Sequence, residues 1–239
     1  MDVLTGQADS RPDWHQRCLA AALLLAALVR LLLLDAYPLM DTTEARYAEI
    51  AREMVATGDW ITPQLDPGVP FWAKPPLSIW LTALSLATFG GTALAARLPH
   101  FLLCSITCLL VFRFGRTERD APDGLLAAVI LATTPVFFVS AGAVMTDATL
   151  ALGTTLAMTS FWRSVNAERP SVAARYGFFV GLAIGLLAKG PVALFITLLP
   201  VGAWTILARR GGDVGRRMPW ARGALLTAAV AAPWYNCYI

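Results

Sequence analysis

The chain is short of charge, of histidine and of lysine. Only 15% of its 239 residues are Asp, Glu, Lys or Arg, while 57% are hydrophobic. Water-soluble domains carry roughly 25% charged residues, so this composition, with a mean hydropathy of +0.60, points to a membrane protein. Its two histidines, His15 and His100, stand far apart and read as structural or interfacial. No Gly-rich phosphate loop, Ser/His/Asp set or zinc-ligand spacing is present, so nothing supports the chemistries those motifs carry. A net charge of +3 is too small to suggest nucleic acid, and the arginines fall in short clusters between apolar runs, as membrane topology demands. Of the four cysteines, Cys104 and Cys108 share one helix face with no acid beside them in that run. They read as small buried hydrophobes.

What the chain does have is one long polar stretch between apolar segments. Seven of the sixteen acidic residues lie between Asp35 and Asp66. Lipid does not solvate such a segment, so Asp41–Pro76 is expected in water or at a membrane surface. Residues 1–17 read as a polar cytoplasmic tail rather than a signal peptide. Residues 18–34 form the first transmembrane helix, with Arg30 either snorkelling to an interface or pairing inside the bundle. In 44–57, Tyr47, Ile50, Ala51, Met54 and Val55 share a helical face opposite Arg46, Glu49, Arg52 and Glu53, which predicts a juxtamembrane helix ending at Gly58. Residues 75–89, opening at Pro75-Pro76, reach only about 22 Å at about 1.5 Å per residue, short of a roughly 30 Å hydrocarbon core. They are read as a second juxtamembrane helix within an extracytoplasmic loop over 35–95. Six further spans are expected in 96–239, near 96–114, 124–140, 147–162, 175–188, 191–208 and 223–239. The predicted fold class is therefore an all-α polytopic membrane protein with about seven transmembrane and two juxtamembrane helices.

Basic residues test the orientation. With 75–89 on the surface, 13 of 19 fall in the tail and in the segments 113–123, 163–175 and 209–222. The positive-inside rule makes those segments cytoplasmic. It also puts Asp41–Lys74, Asp147 and Lys189 on one outer face. If 75–89 crossed instead, the asymmetry would vanish.

Both lysines sit at helix-start corners, Lys74-Pro75-Pro76 and Lys189-Gly190-Pro191. Ammonium groups beside free backbone N–H groups suit a carrier phosphate at headgroup depth, and they equally suit plain interface anchoring. Asp147, at the outer end of an apolar helix pair, is either a functional carboxylate or an N-cap. Asp41 and Glu44 read as a capping box or as carboxylates that deprotonate an acceptor or bind a metal, and their spacing does not separate the two. Arg46 and Tyr47 stand ready to contact phosphate or sugar.

The run Asp41-Thr42-Thr43-Glu44-Ala45-Arg46-Tyr47-Ala48-Glu49, followed by Gly58-Asp59-Trp60 and Lys74-Pro75-Pro76-Leu77, resembles the first periplasmic loop of GT-C glycosyltransferases. It is most similar there to bacterial relatives of the lipid A aminoarabinose transferase and to protein O-mannosyltransferases. Ala95-Ala96-Arg97-Leu98-Pro99, Thr146-Asp147, Lys189-Gly190-Pro191 and Pro233-Trp234-Tyr235 continue the likeness over about residues 18 to 236. The resemblance implies transfer of a sugar from a polyprenyl-phosphate carrier, of undecaprenyl or dolichyl type, to a lipid or protein acceptor outside the cytoplasm, with inversion. It implies a catalytic loop carboxylate at Glu44 or Asp41, a second acid at Asp147, and Lys74 near the carrier phosphate. Thr43 replaces the acid that precedes Glu in the aminoarabinose transferases. Ala73 replaces a Glu associated there with metal. The cofactor is thus left unassigned, with a divalent cation as one candidate. Family members are about twice as long, so an incomplete, N-terminal part is expected. The rival readings are a non-catalytic protein that binds or transports polyprenyl lipid, and an inactive truncated product.

Overall fold

The computed structural model describes residues 14–40, 42–66 and 68–237, and residues 1–13 of the tail, Asp41, Pro67 and residues 238–239 lie outside them. Helix α1 (Trp14–Leu32) runs into a 3-10 turn at Leu33–Asp35. The polar stretch then forms α2 (Thr42–Thr57), a hairpin of β1 (Gln64–Asp66) and β2 (Val69–Pro70), and α3 (Leu77–Phe89). The remainder is helical: α4 (Ala93–Glu118), α5 (Ala121–Thr133), α6 (Pro135–Ser140), α7 (Thr146–Asn166), α8 (Val172–Lys189), α9 (Val192–Leu207), α10 (Gly211–Arg217) and α11 (Trp220–Cys237). Side chains close several starts. The Thr92 hydroxyl accepts from the Ala95 N–H before α4, Asp120 from Asp123 before α5, and Ser171 from Ala174 before α8.

Two differences from expectation have local causes. The single span predicted for 124–140 is two helices, because Thr134 is extended ahead of Pro135, whose ring disfavours helical torsions in the residue before it. The short helix α10 holds itself together through Asp213, which accepts from Arg210 and Arg217 one turn to either side. Among the described helices, Trp14–Asp35, Ala93–Glu118 and Val172–Lys189 are long and apolar enough to cross a membrane, and Leu77–Phe89, Ala121–Thr133 and Val192–Leu207 are apolar but shorter. Helix α7 is long enough, but it is diluted by Thr and Ser, of which Thr146, Thr149, Ser160 and Ser164 are buried inside the bundle.

Packing explains where α2 goes. Its predicted apolar face is buried through Tyr47, Ile50, Ala51 and Met54, while Val55 stays exposed. That face packs against Ile79 and Ala83 of α3, Phe71, Ala96 and Val144, so neighbouring protein covers it. Each large side chain buried there contributes about 1.5–3 kcal/mol. Helices α7 and α8 approach backbone to backbone: a Cβ at Gly153 would lie 2.8 Å from the Gly181 carbonyl oxygen and 2.8 Å from the Gly185 nitrogen. Small residues permit that approach. Gly153→Val is therefore expected to destabilise the protein by about 1–3 kcal/mol or more through overpacking, read as an earlier unfolding midpoint in detergent. Gly202→Ala, where a Cβ meets nothing within 4 Å, is the control and should shift little.

Candidate functional site

The site lies where α2, the 141–145 segment, the start of α7 and the α8–α9 corner converge. Its foundation is a residue to which sequence reasoning gave no role. Arg97 on α4 is completely buried and holds the Glu44 carboxylate in a two-pronged ion pair, Nε to Oε1 and Nη2 to Oε2, each at 2.8 Å. Its other N–H groups donate to the carbonyls of Leu34 at 2.7 Å, Tyr37 at 2.8 Å and Pro38 at 3.2 Å, and the Tyr37 ring lies 4.0 Å from Cζ. Glu44 Oε1 also accepts from the Val144 N–H at 3.1 Å. One carboxylate thus joins α2 to α4 and to the segment that leads into α7. The available signal was an arginine in an apolar helix, since a charge at that depth requires a partner.

That clamp points the next turn of α2 toward Asp147. Tyr47 is nearly buried, and its hydroxyl pKa is raised, chiefly by burial, with Arg46 opposing the shift and the Asp147 charge adding to it. Asp147 Oδ1 accepts from Lys189 Nζ at 2.7 Å, and both side chains keep contact with solvent. The two lysine corners meet. A Cβ on Gly190 would lie 3.8 Å from Pro75 Cγ, next in the chain to Lys74, and 3.4 Å from the Tyr235 hydroxyl oxygen. Gly190 adopts φ +70°, which a residue bearing a side chain rarely tolerates. Among the described residues the half-buried Lys74 ammonium has no hydrogen-bond or ion-pair partner. Arg46 is exposed on the same turn as Tyr47.

The last helix reaches back to this face. Tyr235 donates to the Leu186 carbonyl at 3.0 Å, and Trp234 Nε1 donates to the Ile61 carbonyl at 3.2 Å. Trp80 of α3 donates to the neighbouring Trp60 carbonyl at 2.6 Å. Below the clamp, a Ser78–Thr149 hydrogen bond of 2.8 Å and a Thr82–His100 contact of 3.1 Å tie α3 to α7 and to α4. Glu44, Tyr47, Lys74, Asp147 and Lys189 are thus brought to one end of the bundle, and Asp41 lies outside the described residues. Among the described residues no group of three or more His, Cys, Asp or Glu comes together.

Comparison with known proteins identifies the frame. Residues 18–237 match the family described as dolichyl-phosphate-mannose-protein mannosyltransferase. The chain belongs to that family. Relatives of this mannosyltransferase-family chain include the undecaprenyl phosphate-alpha-4-amino-4-deoxy-L-arabinose arabinosyl transferase 2 of Sodalis glossinidius, 34% identical over 80% of this chain and 35% of the relative. The corresponding transferase of Aeromonas hydrophila is 33% identical over 85% of this chain and 37% of its own length. The crystal structure of ArnT from Cupriavidus metallidurans in the apo state superposes with a TM-score of 0.83 at 26% identity, over 94% of this chain and 42% of that one. The same protein bound to undecaprenyl phosphate gives 0.82 at 27% identity, over 92% and 40%. The fold is that of the GT-C glycosyltransferases related to the aminoarabinose transferase, an integral membrane architecture. The chain spans a little over a third of the length of these curated relatives.

Proposed function

We propose that these residues serve a glycosyltransferase that moves a sugar from a polyprenyl-phosphate carrier to a lipid or protein acceptor on the extracytoplasmic side of a bacterial inner membrane. The observation that carries this reading is the Asp147–Lys189 pair at 2.7 Å, a half-exposed carboxylate on one ammonium group, with the Lys74–Pro75 corner packed against the Gly190 turn that follows Lys189. The names of the relatives, and the undecaprenyl phosphate bound in one similar structure, support the carrier class. In the step, an acceptor hydroxyl oxygen bonds to the anomeric carbon while that carbon's bond to phosphate breaks. The electron pair leaves with the polyprenyl phosphate, and the hydroxyl proton passes to the Asp147 carboxylate oxygen not engaged by Lys189. A single displacement of this kind inverts the anomeric centre. Lys74 and Lys189 offset the charge that grows on the departing phosphate. Arg46 and Tyr47 flank the sugar, and Glu44 acts as a positioning residue that seats α2. Asp41, at the head of α2, is a second candidate base.

The test is transfer of labelled sugar from a polyprenyl-phosphate donor by the full-length protein in membrane vesicles, with separate lipid and protein acceptors. Lys74→Ala should raise the KM for the carrier about tenfold or more, because a hydrogen bond to a charged group contributes about 1.5–3 kcal/mol. Carrier binding without transfer to either acceptor class would overturn the enzymatic reading and leave a carrier-binding protein.

A further inference from the structure

Beneath the outer face, α1 lies along α5 and stands away from α4, which leaves an apolar cavity of about 410 Å³ closed on one side by α6. It extends from Arg30 past Ala27 and Leu23 to Ala20 on α1, and from Phe101 to Phe112 on α4. The ten steps along α1 from Ala20 to Arg30, at about 1.5 Å each, make it roughly 15 Å long, parallel to the helices. If a methylene occupies about the volume of a water molecule, roughly 30 Å³, a dozen or so would fill it. These are the dimensions of one extended acyl chain.

The charged end decides what kind of chain. Arg30 is 6% exposed, its Nη2 donates to the Val139 carbonyl at 3.0 Å, Nη1 reaches the Tyr37 hydroxyl at 3.5 Å, and the Phe138 ring lies 5.1 Å from Cζ. Its Nε is buried without a hydrogen-bond partner, and among the described residues no carboxylate lies within ion-pair distance. Fully buried Arg97 shows how such a charge is held when the protein supplies the anion itself: it takes both oxygens of Glu44. Arg30 has carbonyl, hydroxyl and ring neighbours but no negative charge, and an unneutralised guanidinium in an apolar setting is expensive. It stands in the last turn of α1, so under the orientation above it lies within reach of the outer headgroups.

We propose that this cavity is a binding site for one net-anionic phospholipid, with an acyl chain between α1 and α4 and the headgroup phosphate on the Arg30 guanidinium. Charge complementarity selects that occupant over a zwitterionic lipid. The site is separate from the lysine corners, with which it shares no lining residue.

The test uses the full-length protein returned to nanodiscs of equal phosphatidylglycerol and phosphatidylcholine, then released for native mass spectrometry. Arginine clusters at the cytoplasmic ends also attract anionic lipid, so the readout is the difference between variants. The wild type should keep one more phosphatidylglycerol per chain than Arg30→Gln, with at least a tenfold preference over phosphatidylcholine for that lipid. Arg30→Lys should keep the extra lipid. Ala27→Phe, which fills the cavity and leaves the charge, should lose it while keeping wild-type helicity and elution. An extra lipid retained by Arg30→Gln, or by Ala27→Phe, would overturn the proposal, as would equal retention of the two phospholipids. Displacement of the phosphatidylglycerol by an equimolar amount of undecaprenyl phosphate would overturn it in favour of the carrier.

Discussion

Arg97→Met should cost about 3–5 kcal/mol of stability, because it leaves the Glu44 carboxylate buried without its counter-charge. That is a large share of the roughly 5–15 kcal/mol that holds a domain folded. Three carbonyls at the end of α1 lose donors at the same time, so the Leu34–Pro38 connection loosens along with α2. The loss is one of pairing more than of packing, so the double variant Arg97→Met/Glu44→Leu should recover a substantial part of it. Unfolding in graded denaturing detergent, run as a double-mutant cycle, measures both effects. A single Arg97→Met within about 1 kcal/mol of wild type would mean that the pair is solvated and weak, as exposed pairs are.

Asp147→Asn should lower kcat for sugar transfer about 10²- to 10⁴-fold and change carrier affinity only a few-fold. The amide keeps the shape and still offers an oxygen to Lys189, but it takes no proton from an acceptor hydroxyl. The fold should survive, since the Asp147 side chain is 40% exposed and its partner 25%. Glu44→Gln makes the contrast. Its carboxylate is given to Arg97 and the Val144 N–H, so its loss should appear first as lowered stability, with kcat falling as α2 shifts. A kcat for Asp147→Asn within tenfold of wild type would remove Asp147 as the base and leave Asp41 as the carboxylate to test.

The local features of this arrangement could be read directly from the chain. The period of apolar residues in 44–57 located α2 and the face it buries, and the two Lys-Pro-type corners flagged positions that prove to be neighbours in space. The helix break at Pro135, inside the single span predicted for 124–140, and the hairpin near Gly68 escape that reading, although each has a local signal in a proline that restricts its predecessor and a glycine in a turn. What was hidden were the partnerships. Arg97 meets Glu44 across 53 residues and Trp234 meets Ile61 across 173, and neither distance leaves a trace in local periodicity. Arg30 had two open readings, snorkelling or pairing, and the structure buries it against Val139 and Phe138 instead of extending it to water.

The indole bonds at residues 60 and 61 carry a further consequence. Two adjacent peptide groups in a solvent-facing bend are gripped from opposite directions, one by α3 and the other by the far end of α11. The bend is in effect the buckle between α3 and α11. Inserting even one residue there would turn one carbonyl away from its indole, so wetness at this spot is a poor guide to how freely its sequence can drift.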